Sequence, residues 1–195
     1  MKKTLVTMLA AAAMVASSYG QGTVTFNNTA GTLVTKDTAP GNATQVSVVG
    51  NPSAGKVELL WAPVGTTDLQ LFTPVGAVVN IAPTPGRFTG GTRTIPAGSG
   101  ATGISAGGAV ALVVRGWTGT ATSWALVAPS EAIGYSSIFT INATGNPTTT
   151  PAGTPTAITI AGGFTGLQLH YVPEPTSMAL AGLGAASLLI FRRRK

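Results

Sequence analysis

The segment KVELLW, residues 56–61, alternates strictly: Val57, Leu59 and Trp61 share one face of an extended chain, and Lys56 and Glu58 the other. Successive side chains of a strand point to opposite sides, so this pattern describes a strand with one apolar face and no helix of comparable length. The same period of two recurs in TVTFN (23–27), QVSVV (45–49), SWALV (123–127), SIFTIN (137–142) and AITIA (157–161). LQLHYV closes the series with Leu167, Leu169 and Tyr171 opposite Gln168 and His170. AVALVVRGW (109–117) is apolar almost throughout, as a strand covered on both faces must be. Clusters of Gly, Pro, Asn and Thr separate these runs, and no stretch between them has the 3.6-residue apolar stripe of an amphipathic helix. Two low-complexity stretches, 89–108 (Gly-rich) and 143–156 (Thr/Pro-rich), are expected as a long surface loop and an extended connection. The expected fold is all-β: a single, jelly-roll-like β-sandwich over residues 21–172, flanked by an N-terminal signal helix and a C-terminal transmembrane helix.

Charge is scarce. Only 8% of residues are charged, yet the formal net charge is +6. Position explains the excess, because Lys2, Lys3, Arg192, Arg193, Arg194 and Lys195 lie at the two ends. Between residues 22 and 172, Lys36, Lys56, Arg87, Arg93 and Arg115 face Asp37, Glu58, Asp68 and Glu131, a net of +1. A body so nearly neutral has no basic stripe to follow a phosphate backbone, so nucleic acid is not an expected partner.

The chemistry-bearing residues are few. There is no cysteine, which excludes disulfides, thiolate catalysis and Cys-based metal sites. GNPSAGKV (50–57) matches a phosphate-binding loop as far as Lys56, but Val57 stands where a hydroxyl should hold Mg²⁺, and a strand follows where the loop needs a helix N-terminus. A secreted glycosidase would need two carboxylates across a cleft, and Glu58 with Glu131 is the one conceivable pair; Glu58 reads more simply as a residue of a solvated strand face. His170 is the sole histidine and reads as a solvated edge residue, with neither a triad nor a zinc site around it. The body is therefore expected to be non-enzymatic, without cofactor or metal. Binding remains: of Trp61, Trp117 and Trp124, Trp124 beside Ser123 is the best candidate for an exposed sugar-stacking platform. A coplanar exposed Trp pair would favour a carbohydrate-binding or adhesive module.

The ends carry addresses. Lys2 and Lys3 precede an apolar run from Leu5 to Ala16, and Ser18 and Gly20 are the small residues that a cut between Gly20 and Gln21 requires. Residues 1–20 thus read as a secretory signal peptide, with the Sec translocon and signal peptidase as partners. At the other end, Pro173, Glu174 and Pro175 precede a short apolar run, Met178–Phe191, and the cluster Arg192–Lys195. As a helix rising ~1.5 Å per residue that run spans on the order of 20 Å, short of a hydrocarbon core of roughly 30 Å. The basic cluster holds its end on the cytoplasmic side by the positive-inside rule.

This three-part tail, residues 173–195, resembles the PEP-CTERM sorting signal of Gram-negative bacteria. The resemblance implies an exosortase, a membrane-embedded cysteine transpeptidase, that recognises Pro173, Glu174 and Pro175 and processes the chain nearby. Met178–Phe191 would be the membrane segment and Arg192, Arg193, Arg194 and Lys195 the cytoplasmic stop. Each proline suits that task, since a residue before proline is driven to extended backbone and Glu174 is thereby presented as a readable peptide. GTVTFNN, LLWAPVGTTD, GRFTGGTRT and VRGWTGTATSWALVAPSEAIGYSSIFT also resemble exported Verrucomicrobia-type β-rich proteins bearing this tail. The protein so implied is exported, tethered to the inner membrane as a precursor, and then placed on the cell surface or in an extracellular matrix, with exopolysaccharide as a candidate partner.

Overall fold

A computed structural model of the protein describes residues 22–51, 53–96, 105–149, 151–158, 162–172 and Leu183. The expected signal peptide with its Gly20–Gln21 junction, the box Pro173–Pro175, the apolar run Met178–Phe191 apart from Leu183, and the basic cluster Arg192–Lys195 lie outside these residues. Among the described residues, no helix is long and apolar enough to cross a membrane.

The described strands are β1 (Gly22–Asn27), β2 (Val34–Ala39), β3 (Asn42–Ser47), β4 (Gly55–Ala62), β5 (Thr73–Asn80), β6 (Thr89–Ile95), β7 (Val110–Thr118), β8 (Ala132–Tyr135), β9 (Phe139–Ile141), β10 (Thr156–Ala157) and β11 (Leu167–Tyr171). They form an all-β sandwich of unequal sheets, three strands in the order β10-β1-β6 and eight in the order β3-β2-β11-β8-β7-β4-β5, with β9 also on β7. The β1–β10 and β2–β11 pairs are parallel and the others antiparallel.

The apolar run read as a central strand is β7, whose residues are all buried except the half-buried Arg115. One edge pairs with β4 along its whole length, from Gly55 opposite Thr118 to Ala62 opposite Ala111. Its other edge is shared by β8 and β9, and Ser136 bridges the break between them. The Ser136 N–H donates to the Val114 carbonyl at 2.8 Å, and its Oγ accepts from the Val114 N–H at 3.0 Å. A side-chain oxygen thus replaces the missing strand carbonyl, so the ladder of the central strand stays satisfied.

The inner face holds the main core. Val57, Leu59, Leu112, Val114, Leu167 and Leu169 from the large sheet meet Val24, Phe26 and Ile95 from the small one. Phe88, Phe164 and Phe139 come from the connections and from β9, and they form a chain with Phe26 across the interior at centroid distances of 4.7, 6.2 and 5.8 Å. Trp61 packs half-buried against this core.

Three local expectations are corrected. The Gly-rich run begins as strand β6, not as loop: a register shift sets Gly90 and Gly91 opposite Phe26 in β1. Gly91 has φ +68°, and a Cβ on Gly90 would stand 2.5 Å from the Phe26 ring, so the glycines make a β-bulge that only they can occupy. SWALV is not a strand; Trp124–Leu126 is a 3₁₀ turn that lays Trp124 on the sheet and leaves Leu126 exposed. QVSVV contributes only its first part to β3, which runs from Asn42 to Ser47 with Val46 exposed. The match to a phosphate-binding loop is a turn leading into β4: Lys56 is buried in the strand, opposite Trp117, and no helix follows.

Candidate functional site

The outer face of the large sheet divides into two halves. On the β8, β7 and β4 side it is covered. Glu58 and Arg115 sit opposite each other in the β4–β7 register, and the Arg115 NH2 and Nε groups both reach Glu58 Oε2, at 2.7 and 2.8 Å. Their side chains are only 15% and 10% exposed for arginine and glutamate respectively. The guanidinium also lies 5.1 Å from the Trp124 ring centroid. Trp124 in turn meets Trp117 at 5.8 Å and Tyr135 at 5.2 Å, both edge to face. Trp117 is fully buried and donates its indole N–H to the Ala121 carbonyl. Leu60, Ala62, Phe72, Ala111 and Val113 extend this cluster under the connection that follows β4.

One expectation falls here, and one condition for a binding module is not met. Glu58 is buried and ion-paired, not solvated, because the connections after β4 and β7 fold back over its face. The three tryptophans form no coplanar exposed pair: Trp117 is buried beneath Trp124 at an interplanar angle of 72°, and Trp61 packs on the opposite, inner face. Trp124 itself is half-buried.

The carboxylate pair is not assembled either. Glu131 accepts from the Thr118 hydroxyl, which itself accepts from the Ala132 N–H. Thr118 is three residues along β7 from Arg115, an odd spacing that turns it to the other side of the pleat. Glu58 and Glu131 therefore serve opposite faces of the sheet and share no cleft.

The β2, β11 and β8 side is open. A groove of about 520 Å³ runs over it, lined among others by Thr35, Tyr135, Ser137, Gly166, Gln168 and His170. Leu167 and Leu169 point into the core, so the alternation of β11 aims Gln168 and His170 outward. Parallel pairing sets Thr35 beside Gln168 on the same face. Close approach of β8 and β11 depends on Gly134, where a Cβ would stand 2.1 Å from the Gln168 carbonyl oxygen.

His170 is held at one end of this groove. Its Nδ1 lies 3.1 Å from Asp37 Oδ1, its side chain is 55% exposed, and Asp37 is buried. Asp37 also accepts from the Gln45 side-chain amide and from the Tyr171 N–H at 3.3 Å. The expectation of a merely solvated histidine is thus half right: the ring is exposed, but oriented by a buried carboxylate. Asp37 is not announced by the sequence, because β2 has no clean apolar alternation. A Ser–His–Asp arrangement does not follow. Ser136 Oγ is engaged by Val114 N–H and Ser137 carbonyl. The β8–β11 register, extended, sets Ser137 opposite Gly166, four residues from His170 and so about 13 Å along the strand. Among the described residues, no group of three or more His, Asp or Glu is arranged to hold a metal ion.

β11 ends at Tyr171, and residues 172–195 match the family described as the PEP-CTERM protein-sorting motif. The chain carries a PEP-CTERM sorting signal. This signal implies export, membrane-associated sorting and processing by an exosortase-type enzyme. No curated protein and no solved structure matches the chain.

Proposed function

We propose that the protein is a non-enzymatic surface or matrix component. In this reading residues 1–20 direct it through the Sec route, the PEP-CTERM tail holds it at the membrane, and an exosortase cuts near Pro173–Pro175 to release the sandwich. The observation that carries the reading is the position of the sorting match. It begins at residue 172, directly after the last described strand, so the motif follows β11 with no intervening linker. Strand β11 is tied into the sheet on both edges, by β2 and β8, and Asp37 holds its final N–H. The processing enzyme would therefore meet a short extended peptide against a rigid body at the membrane surface.

Replacing Glu174 with Ala, or Pro175 with Ala, tests this. Cell fractionation with an antibody to the body should find both variants uncut and membrane-bound, whereas the parent protein leaves the membrane fraction. Release of both variants at the parental rate would end the sorting role assigned to the box.

A further inference from the structure

We propose that the groove over β2, β11 and β8 binds a neutral, polyhydroxylated ligand: a glycan chain without carboxylate or sulfate groups. Its volume of about 520 Å³ falls within the roughly 300–1,000 Å³ typical of ligand sites. The composition of its walls names the ligand class. Among the described residues, no Asp, Glu, Lys or Arg lines it. The nearby ion pair, Arg115 with Glu58, is neutralised internally and largely buried. What faces the groove is instead a set of neutral donors and acceptors, Thr35, Ser137 and Gln168, with the ring of Tyr135. Such a wall gives an acidic ligand no counter-charge and a hydrocarbon too little apolar surface. Sugar hydroxyls find both donors and acceptors in it, and an aromatic ring takes the C–H face of a pyranose.

His170 adds direction. The buried Asp37 carboxylate can only accept, so the His170 Nδ1–H donates to it and the ring is held in a fixed orientation at the groove's end. Tyr135 is fixed as well, by edge-to-face contact with Trp124. The groups that would recognise a sugar are thus backed by the covered half of the same face, and little ordering remains to be done on binding.

The test uses the full chain, purified in a sugar-free zwitterionic detergent, on an array of neutral hexose and N-acetylhexosamine oligosaccharides beside oligogalacturonates and heparin fragments. Neutral oligosaccharides should be retained and anionic ones not. For the best neutral oligosaccharide, calorimetric titration should show Gln168→Ala weakening binding by about fivefold, the loss of one hydrogen bond. Tyr135→Ala should abolish measurable binding, while Tyr135→Phe, which keeps the ring, stays near the parent. Leu71→Ala, an exposed residue outside the groove, should change nothing. Because Gln168 is exposed, its variant folds normally and keeps the test decisive if Tyr135→Ala does not fold. Retention of anionic glycans alone, no retention of any glycan, or unchanged affinity in Gln168→Ala and Tyr135→Ala would each overturn the proposal. None of these readouts depends on how the C-terminus is processed, so its failure leaves the sorting role standing.

Discussion

The covered and open halves of the outer face belong to one sheet and share one pleat, yet their chemistry is opposite. On β4 and β7 the outward positions hold Leu60, Ala62, Ala111, Val113, Trp117 and the Glu58–Arg115 pair, all closed over by the connections that follow these strands. On β2 and β11 the outward positions hold Thr35, Asp37, Gln168 and His170, of which Gln168 and His170 are exposed and line the groove together with Thr35. Alternation decides which way a side chain points; the connections decide whether that direction is interior or solvent. Charge on the covered half is consequently paired and structural. On the open half the buried Asp37 carboxylate serves to orient an exposed ring.

Breaking the covered half should cost most. Arg115→Met would leave the Glu58 carboxylate buried without its partner, an expected loss of roughly 3–5 kcal/mol in denaturant unfolding. Adding Glu58→Met should restore most of that, since an apolar pair avoids the desolvation of both charges. A single-variant cost below about 1 kcal/mol would instead mark an ordinary surface pair. An intermediate effect is expected where the halves differ in kind. Asp37→Asn keeps one acceptor for the Tyr171 N–H and the Gln45 amide but removes the charge, so stability should fall by about 1–2 kcal/mol. Amide exchange at Tyr171 should rise with it, because the end of β11 is released locally before the sandwich opens. The smallest effect belongs to the open half: Gln168→Ala should leave thermal unfolding within about 0.5 kcal/mol of the parent.

The sequence was legible where pattern and burial agree. β1, β4, β7 and β11 announced themselves because each buries an alternating or continuous apolar set, and they supply most of the core. β6 was hidden because its bulge against Phe26 demands glycines, which read locally as loop. β5 was hidden by Pro74 and Gly76, residues tolerated there because the strand is an edge of the large sheet. SWALV has strand periodicity, but Trp124 finds its partners, Trp117, Tyr135 and Arg115, only by turning down onto a neighbouring surface. The groove was not readable in advance for a related reason. Its walls come from three separated stretches of chain, and the pairing of Asp37 with His170 spans 133 residues. The tail was legible from sequence alone because it is a linear motif, read in order and not through a fold.

Intact-mass analysis of the protein recovered from the cell surface tests the central claim most directly. The account predicts one species that begins at Gln21 and ends close to Pro173–Pro175, lacking Met178–Lys195, with any added mass resting on that trimmed chain. A surface species that still ends at Lys195 would contradict it.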